Sequence, residues 1–269
     1  LDILSGKINP SGKLAETYIK KYEDTPSYNY YPSQERNSEY REGIYVGYRY
    51  FDTAGVPVNY PFGYGLSYTT FEQKLESVDV QVGGTAAAKV NVTNTGDVAG
   101  KSVVQLYVQA PYTEGGLEKS AIQLIGYGKT EVLEPGASEE VTVEFDPFYM
   151  ASYDEDAVKA DGTQGAWSLE AGDYYFAIGN GAHEALNNVL ANKNGNEDGL
   201  VKIAETDEIN ADNAIKWNLA DTDIETYSAG VENQLQDADL NSWMEDTVTY
   251  LSRNDWEGTW PETYKDLTA

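Results

Sequence analysis

The sequence contains no cysteine and only one histidine, His183, in its 269 residues. The absence of cysteine excludes disulfides, thiolate metal sites and cysteine nucleophiles. A single histidine excludes histidine-rich metal sites and leaves little from which to build a serine triad. The lack of cysteine does not indicate an oxidising or a reducing compartment, because a cysteine-free protein is suited to either side of a membrane.

Basic residues are scarce, since 18 Lys and Arg face 45 Asp and Glu, for a net charge of −27 and a pI of about 4.1. Such a surface repels phosphate, and no run of Lys or Arg could follow a phosphate backbone, so nucleic acid and acidic membranes are poor partners. No apolar run approaches the ~20 residues that span a bilayer, and no basic-then-apolar leader is recognisable. We therefore expect a soluble protein.

The residues that are present indicate a folded chain. Aromatic residues reach 12%, with 22 tyrosines, while charged residues stay at 23%, unlike the composition of a disordered protein. This length predicts one large domain or two small ones. Leu1–Gly6 is typical of the last turn of a helix that is closed by glycine, so we expect a piece of a longer chain.

Three stretches differ in character. Residues 1–72 are rich in turn signals, hold twelve of the 22 tyrosines and contain one predicted strand, Gly43–Phe51, so we expect them to pack on a larger body. Residues 73–188 alternate short strands with turns, which is typical of an immunoglobulin-like or fibronectin-like sandwich. Residues 189–269 carry a net charge of −13 and few apolar residues before a predicted strand at Thr247–Leu251, which indicates an acidic linker that wraps a neighbour.

The sandwich is predicted to have seven strands and a core that is held by burial alone, since no disulfide joins the sheets. The predicted strands are Lys74–Val82, Ala86–Asn94, Lys101–Gln109, Ala121–Thr130, Ser138–Phe145, Ala166–Glu170 and Gly172–Gly179. The predicted core residues are Val90, Val92, Val104, Leu106, Val108, Leu124, Val141, Val143 and Tyr175.

Two acidic motifs are candidates for chemistry, and each has a plainer explanation. Asn194–Glu205 has the spacing of an EF-hand calcium loop, but Lys202 stands at a ligand position, so we favour a polar turn. Asp255, which precedes Trp256, could be a strand-end carboxylate beside a sugar platform. Retaining hydrolysis needs a second carboxyl group about 5–5.5 Å away, and nothing in the sequence selects one. We therefore favour a helix-capping Asp255 with a tryptophan that anchors the tail.

The remaining candidates also favour structural roles. His183 follows a glycine-rich stretch and is interpreted as a loop residue, because spacing pairs it with no Ser or Asp. Asn91–Thr93 fits a glycosylation acceptor but lies inside a predicted strand. The tyrosines of residues 18–68 could stack on carbohydrate, yet we favour an interdomain seam. The sequence thus assigns no catalytic or metal-binding residue and no cofactor, and it leaves the substrate-binding residues unknown.

Three blocks of the first 72 residues closely resemble successive blocks of glycoside hydrolase family 3, the β-glucosidase family. These blocks are Gly6–Leu14, Glu42–Asp52 and Tyr60–Phe71. Three further segments look like the fibronectin type III-like domain of that family, namely Val90–Gly96, Gly100–Val108 and Leu124–Tyr127. The resemblance covers about residues 1–185. It implies the C-terminal end of an α/β sandwich domain at 1–72, a fibronectin type III-like domain at 73–188 and a linker at 189–269.

The resemblance also implies a division of labour. In that family a (β/α)8 barrel supplies the aspartate nucleophile and the α/β domain supplies an acid/base glutamate, which would lie upstream of Leu1. Val248–Pro261 looks like the lead-in to the barrel in members with a permuted domain order, so Asp255 is not the family nucleophile. The chain is then the non-catalytic part of a bacterial enzyme, cytoplasmic or secreted, that cleaves β-linked glucosides or oligosaccharides, and its partners are the missing barrel and α/β domains. The alternative is a carbohydrate-binding or surface-adhesion module.

Overall fold

The computed structural model describes residues 1–28, 40–204, 208–233 and 248–260. The strands are β1 Tyr18–Ile19, β2 Val58–Tyr60, β3 Phe71–Val80, β4 Ala86–Asn94, β5 Val103–Gln109, β6 Gln123–Lys129, β7 Ser138–Phe145, β8 Ser152–Val158, β9 Gln164–Ser168, β10 Gly172–Ile178 and β11 Ala214–Leu219. The α-helices are α1 Tyr48–Ala54, α2 Ala182–Asn194 and α3 Trp256–Thr259. Short 3-10 turns occupy Tyr22–Asp24, Pro147–Met150 and Ala211–Asn213.

Two antiparallel sheets face each other in the middle of the chain. One has the strand order β11-β10-β5-β6 and the other β3-β4-β7, while β8-β9 and β1-β2 form separate two-stranded sheets. Strand β4 explains the packing, because its alternate residues Ala86, Ala88, Val90 and Val92 are buried and the residues between them are not. A period of two places one face of a strand against the opposite sheet. The predicted fold class, a mainly β sandwich, is confirmed.

All seven predicted strands exist, with ends that shift by no more than a few residues. Seven of the nine predicted core residues lie in the cluster between the two sheets. Leu124 and Tyr175 are exceptions, because they face away from that cluster and pack against α2 instead. Tyr174, one residue earlier than Tyr175, fills the intersheet position. A shift of one residue exchanges the two faces of a strand. The prediction therefore places the strand correctly but assigns its buried face to the wrong alternate residue.

The predicted strand Gly43–Phe51 is wrong. The chain turns at residues 41–44 and then forms helix α1 from Tyr48 to Ala54. Gly47 enters the helix with φ of 60°, and Gly55 ends it in the left-handed conformation, so the helix is punctuated by glycine at both ends. Ile44, Tyr45 and Val46 are β-branched or aromatic and so favour a strand. Tyr50, Phe51 and Asp52, however, are consecutive and all buried, which a half-exposed strand does not allow.

Several observed elements are absent from the prediction, and three of them show why. Strand β8 is acidic and pairs only with β9, so it lacks the apolar pattern of a core strand. Helix α2 is hidden because its buried face includes Asn187 and Asn188, whose amides bond to backbone groups. Strand β11 lies inside the acidic C-terminal stretch and pairs with β10 along its full length. That stretch therefore contributes an edge strand to the sandwich. Of the predicted strand at 247–251, residues 248–251 form no strand and Thr247 lies outside the described residues.

The N-terminal block, residues 1–28 and 40–70, is joined to the sandwich by a polar seam. Gln105 on β5 donates its side-chain amide to the carbonyl of Gly63 at 3.1 Å, and Ala182 N donates to the carbonyl of Phe62 at 3.0 Å. On the other side, Leu124 N donates to the Tyr48 hydroxyl at 2.9 Å. The division at 72/73 and 188/189 stays a prediction; β3 begins at Phe71 and α2 spans the second boundary.

Candidate functional site

Asp255 caps a helix. Its carboxylate accepts a hydrogen bond from Gly258 N at 2.8 Å at the start of α3. The neighbouring Trp256 packs edge-on against Tyr45 and Tyr50, with ring centroids 4.9 and 5.6 Å apart. The favoured interpretation, a capping aspartate with an anchoring tryptophan, is confirmed, since the carboxylate stabilises the first turn of the helix. The contacts of Trp256 with Tyr45 and Tyr50 favour this anchoring role over a sugar platform.

His183 does not lie in a loop, as the sequence predicts, but in the first turn of α2, where its side chain is fully buried. Its Nδ1 lies 3.1 Å from Oδ1 of Asp52 on α1. Its Nε2 accepts from Ile203 N at 3.4 Å, so the proton of the ring is on Nδ1 and faces Asp52. The pair is separated by 131 residues, which is why spacing cannot reveal it. A base that is buried and occupied on both nitrogens cannot reach a substrate.

The EF-hand-like stretch begins as the end of a helix. Asn194 is the last residue of α2, and Gly195 caps the helix in the left-handed conformation. Asn196 accepts from Asp198 N at 2.7 Å, while Asn194 donates its amide to the carbonyl of Asp198. Local turn bonds thus occupy two of the candidate ligands, and Glu205 lies outside the described residues. Within the described ranges, no three His, Cys, Asp or Glu side chains are placed to hold a metal ion.

Two carboxylates line a polar cleft of about 320 Å³ between the N-terminal block and the sandwich. Glu184 is one of them, and it is held by Asn180, whose backbone N–H donates at 3.1 Å. The second, Glu208, lies on the rim of the same cleft together with Lys13. Burial lowers the pKa of Lys13, and the charge of Glu184 opposes that shift. Glu184 is 8% exposed and stabilises the start of α2, so it serves the fold rather than acting as a solvent-accessible acid.

Six of the tyrosines of residues 18–68 form two groups. Tyr45, Tyr48 and Tyr50 are seam residues, since they contact the sandwich or the C-terminal segment through Glu118, Leu124 and Trp256. A second group lines an open groove of about 580 Å³. This group comprises Tyr18, Tyr60 and Tyr64, with Tyr60 and Tyr64 rings 4.9 Å apart. The preference for a seam therefore holds for the first group and not for the second.

The groove is bordered by exposed aliphatic residues. Ile3 and Leu66, which line it, are 48% and 70% exposed. Elsewhere in the N-terminal segment, Leu1 and Leu4 are 99% and 85% exposed. Contiguous exposed apolar surface rimmed by polar residues marks a contact with another protein surface.

Asn91, the candidate glycosylation acceptor, lies in the middle of β4. It is paired with Lys74 of β3 on one side and with Glu140 of β7 on the other.

A polar cluster at Glu118 is the feature that the sequence reasoning missed. Glu118 accepts hydrogen bonds from the hydroxyls of Tyr45 and Ser252, and from Arg253 N at 3.3 Å. Next to it, the buried Lys119 pairs with Glu170. Burial, with the charge of Arg253 nearby, lowers the pKa of Lys119 to about 8. Three parts of the chain more than 70 residues apart meet here, and no local pattern marks such a junction.

Known proteins match this architecture. Residues 102–182 match the family described as fibronectin type III-like domain. β-Glucosidase A of Butyrivibrio fibrisolvens is 46% identical over 194 residues, which are 66% of this chain and 23% of that protein. The solved β-glucosidase of Paenibacillus barengoltzii superimposes with a TM-score of 0.62 at 38% identity, covering 82% of this chain and 22% of that one. The matched region is the C-terminal part of these relatives. The chain is homologous to the C-terminal part of family 3 β-glucosidases.

A second solved relative agrees with this assignment. β-Glucosidase 3B of Thermotoga neapolitana superimposes with a TM-score of 0.60 at 35% identity, over 82% of this chain and 26% of that one. The chain thus spans about a quarter of the length of the family 3 β-glucosidases that it matches. The resemblance seen in the three N-terminal blocks and in the sandwich is confirmed. Among the residues that the structure describes, no helix is long and apolar enough to cross a bilayer.

Proposed function

We propose that this chain is the scaffolding, non-catalytic portion of a retaining β-glucosidase-like hydrolase. The observation that carries the proposal is the extent of the match: the chain covers the fibronectin type III-like, C-terminal quarter of family 3 β-glucosidases. Its own candidates for chemistry support the same conclusion, because Asp255 caps a helix and His183 is buried. The catalytic carboxylates would therefore lie in other parts of the parent protein.

The exposed apolar surface supports a partner for the N-terminal block. Leu66 lines the tyrosine groove and is largely exposed, and Leu1 and Leu4 of the same block are almost fully exposed. Burial of such side chains is worth about 1.5–3 kcal/mol each, which favours covering them in the parent protein. The occupant that fits is the rest of the α/β domain, for which residues 1–72 supply the C-terminal end. Because the chain matches only about a quarter of each relative, we expect the parent protein to contain further domains that could cover this surface.

A hydrolysis assay on the isolated chain tests the proposal. The chain is expected to release no nitrophenol from an aryl β-glucoside above the level of a heat-inactivated sample. The physical reason is that retaining hydrolysis needs a pair of carboxyl groups, whereas the Asp255 carboxylate is engaged in capping α3. The matched variant is Asp255→Asn, which should give the same baseline. Clear turnover by the chain that is abolished in Asp255→Asn would overturn the proposal.

A second candidate function is carbohydrate binding without chemistry. It is favoured by one observation, the groove of about 580 Å³ that Tyr18, Tyr60 and Tyr64 line. Aromatic rings of this kind could stack on sugar faces. Calorimetry with β-glucan oligosaccharides separates the two functions. Saturable heat that is lost in Tyr60→Ala would support the binding module, while no saturable heat would support the scaffold.

A further inference from the structure

The segment Val248–Trp260 touches two bodies at once. Leu251 N donates to the carbonyl of Arg41 at 2.8 Å, and the Leu251 side chain is buried against the N-terminal block. Two residues later, the Arg253 guanidinium donates to the carbonyl of Lys119 at 2.8 Å, in the loop that joins β5 to β6. The segment therefore spans the line along which the N-terminal block meets the sandwich.

Its apolar half is aromatic. Trp256 packs edge-on against Tyr45 and Tyr50, and Trp260 lies with its ring centroid 5.7 Å from that of Tyr50. Aromatic pairs in this geometry stabilise the contact beyond the area that they bury. These contacts attach the segment to the N-terminal block, but none of them reaches the sandwich.

Its polar half contacts the sandwich loop. Arg253 lies over the ring of Tyr112, 3.9 Å from the ring centre, in a cation–π arrangement. The side-chain oxygen of Asn254 accepts from the Tyr112 hydroxyl and from Gly115 N at 2.9 Å. The loop thus contacts two successive side chains of the segment. The ring of Tyr112 contacts Arg253, while Tyr112 and Gly115 donate hydrogen bonds to Asn254.

Glu118 connects the two halves. One carboxylate oxygen accepts from the Tyr45 hydroxyl of the N-terminal block and from Arg253 N, and the other accepts from the Ser252 hydroxyl. Burial and the bond to Glu118 raise the pKa of Tyr45 well above its usual range, so its hydroxyl keeps the proton that it donates. Hydrogen bonds to an ionised acceptor are stronger than neutral ones, and Glu118 makes three of them to two distant parts of the chain.

We propose that Tyr45, Tyr112 and Glu118 form a docking site for the chain's own segment Val248–Trp260, with Glu118 as the group on which docking depends. The docked segment clasps the N-terminal block to the sandwich. This inference concerns docking alone and does not depend on hydrolase activity. In chain order, the docking site binds the hydroxyl of Ser252, the guanidinium of Arg253 and the ring of Trp256.

Hydrogen exchange followed by mass spectrometry on the 269-residue chain tests the docking site. Glu118→Ala should speed exchange of amides within residues 248–260 by about tenfold or more, because a charged acceptor with three donors is lost. Amides of β4 should keep their rates. The matched control is Glu114→Ala, which removes an exposed carboxylate of the same loop and should change neither region.

A second variant covers the case in which Glu118→Ala does not fold. Ser252→Ala removes one donor from a partly exposed position, so it should raise exchange of the same segment by a smaller factor. In the double variant, the rise in exchange should be smaller than the product of the two single rises, because both changes break the same Ser252–Glu118 hydrogen bond. Unchanged exchange of residues 248–260 in either single variant would overturn the proposal, and so would an equal rise in β4.

Discussion

Replacing Phe176 by alanine should lower the free energy of unfolding by about 3–5 kcal/mol, a large share of the stability of a typical domain. Phe176 is fully buried on β10, the strand that pairs with β5 on one side and β11 on the other. Its ring contacts that of Phe145 across the sandwich, with centroids 5.6 Å apart. Truncation removes this contact and leaves a cavity that two sheets cannot close. Urea unfolding followed by fluorescence measures the change.

Tyr127→Ala is the matched control for this variant. Tyr127 is an aromatic residue of β6 in the same sheet, but 75% of it is exposed. Its removal should change the free energy of unfolding by less than about 1 kcal/mol, as is usual for surface substitutions. Equal losses in the two variants would contradict a core that lies between the two sheets.

Gly63→Ala should cost about 2–5 kcal/mol, because it combines backbone strain with a clash. Gly63 has φ of +86°, and a Cβ built on it would lie 2.2 Å from Oε1 of Gln105 and 2.8 Å from Cα of Gly181. Gln105 is held in place, since its Oε1 accepts from Tyr107 and its amide donates to the Gly63 carbonyl. The substitution should therefore open the seam between the N-terminal block and the sandwich. Thermal unfolding gives the loss, and limited proteolysis should show earlier cleavage within residues 8–28.

Gly136→Ala separates strain from the clash. Gly136 has a similar φ of +79° in the turn before β7, but a Cβ there would meet nothing within 4 Å. We expect a loss of about 1–2 kcal/mol, the cost of the left-handed conformation alone. If Gly63→Ala lost no more than Gly136→Ala, the close approach at the seam would not matter to stability.

The sandwich could be predicted from sequence because its information is local. The alternation of Ala86, Ala88, Val90 and Val92 within β4, followed by turn residues, specifies both a strand and the face that it buries. Strand β8 shows the limit of this signal, since an acidic strand that pairs with one neighbour has no buried face to reveal it. Helix α2 shows another limit, because its buried Asn188 is polar and becomes acceptable only through the Ile178 carbonyl.

The candidate site could be predicted only where its cause was local. The capping role of Asp255 depends on Gly258, three residues away, and was predicted. The pairing of His183 with Asp52 depends on two helices that meet only after folding, and it was missed. The cluster at Glu118 is the extreme case, because Tyr45 and Ser252 lie 73 and 134 residues from it. A single sequence carries no signal for contacts of that separation.

Trapping the glycosyl-enzyme intermediate of the parent protein tests the central proposal most directly. A retaining hydrolase forms a covalent bond between its nucleophilic carboxylate and the sugar, and a slow fluorinated aryl β-glucoside allows that adduct to accumulate. Peptide mass spectrometry then locates the labelled residue. The proposed scaffold role predicts a label outside residues 1–269, whereas a label on Asp255, or on any other carboxylate of this chain, would contradict it.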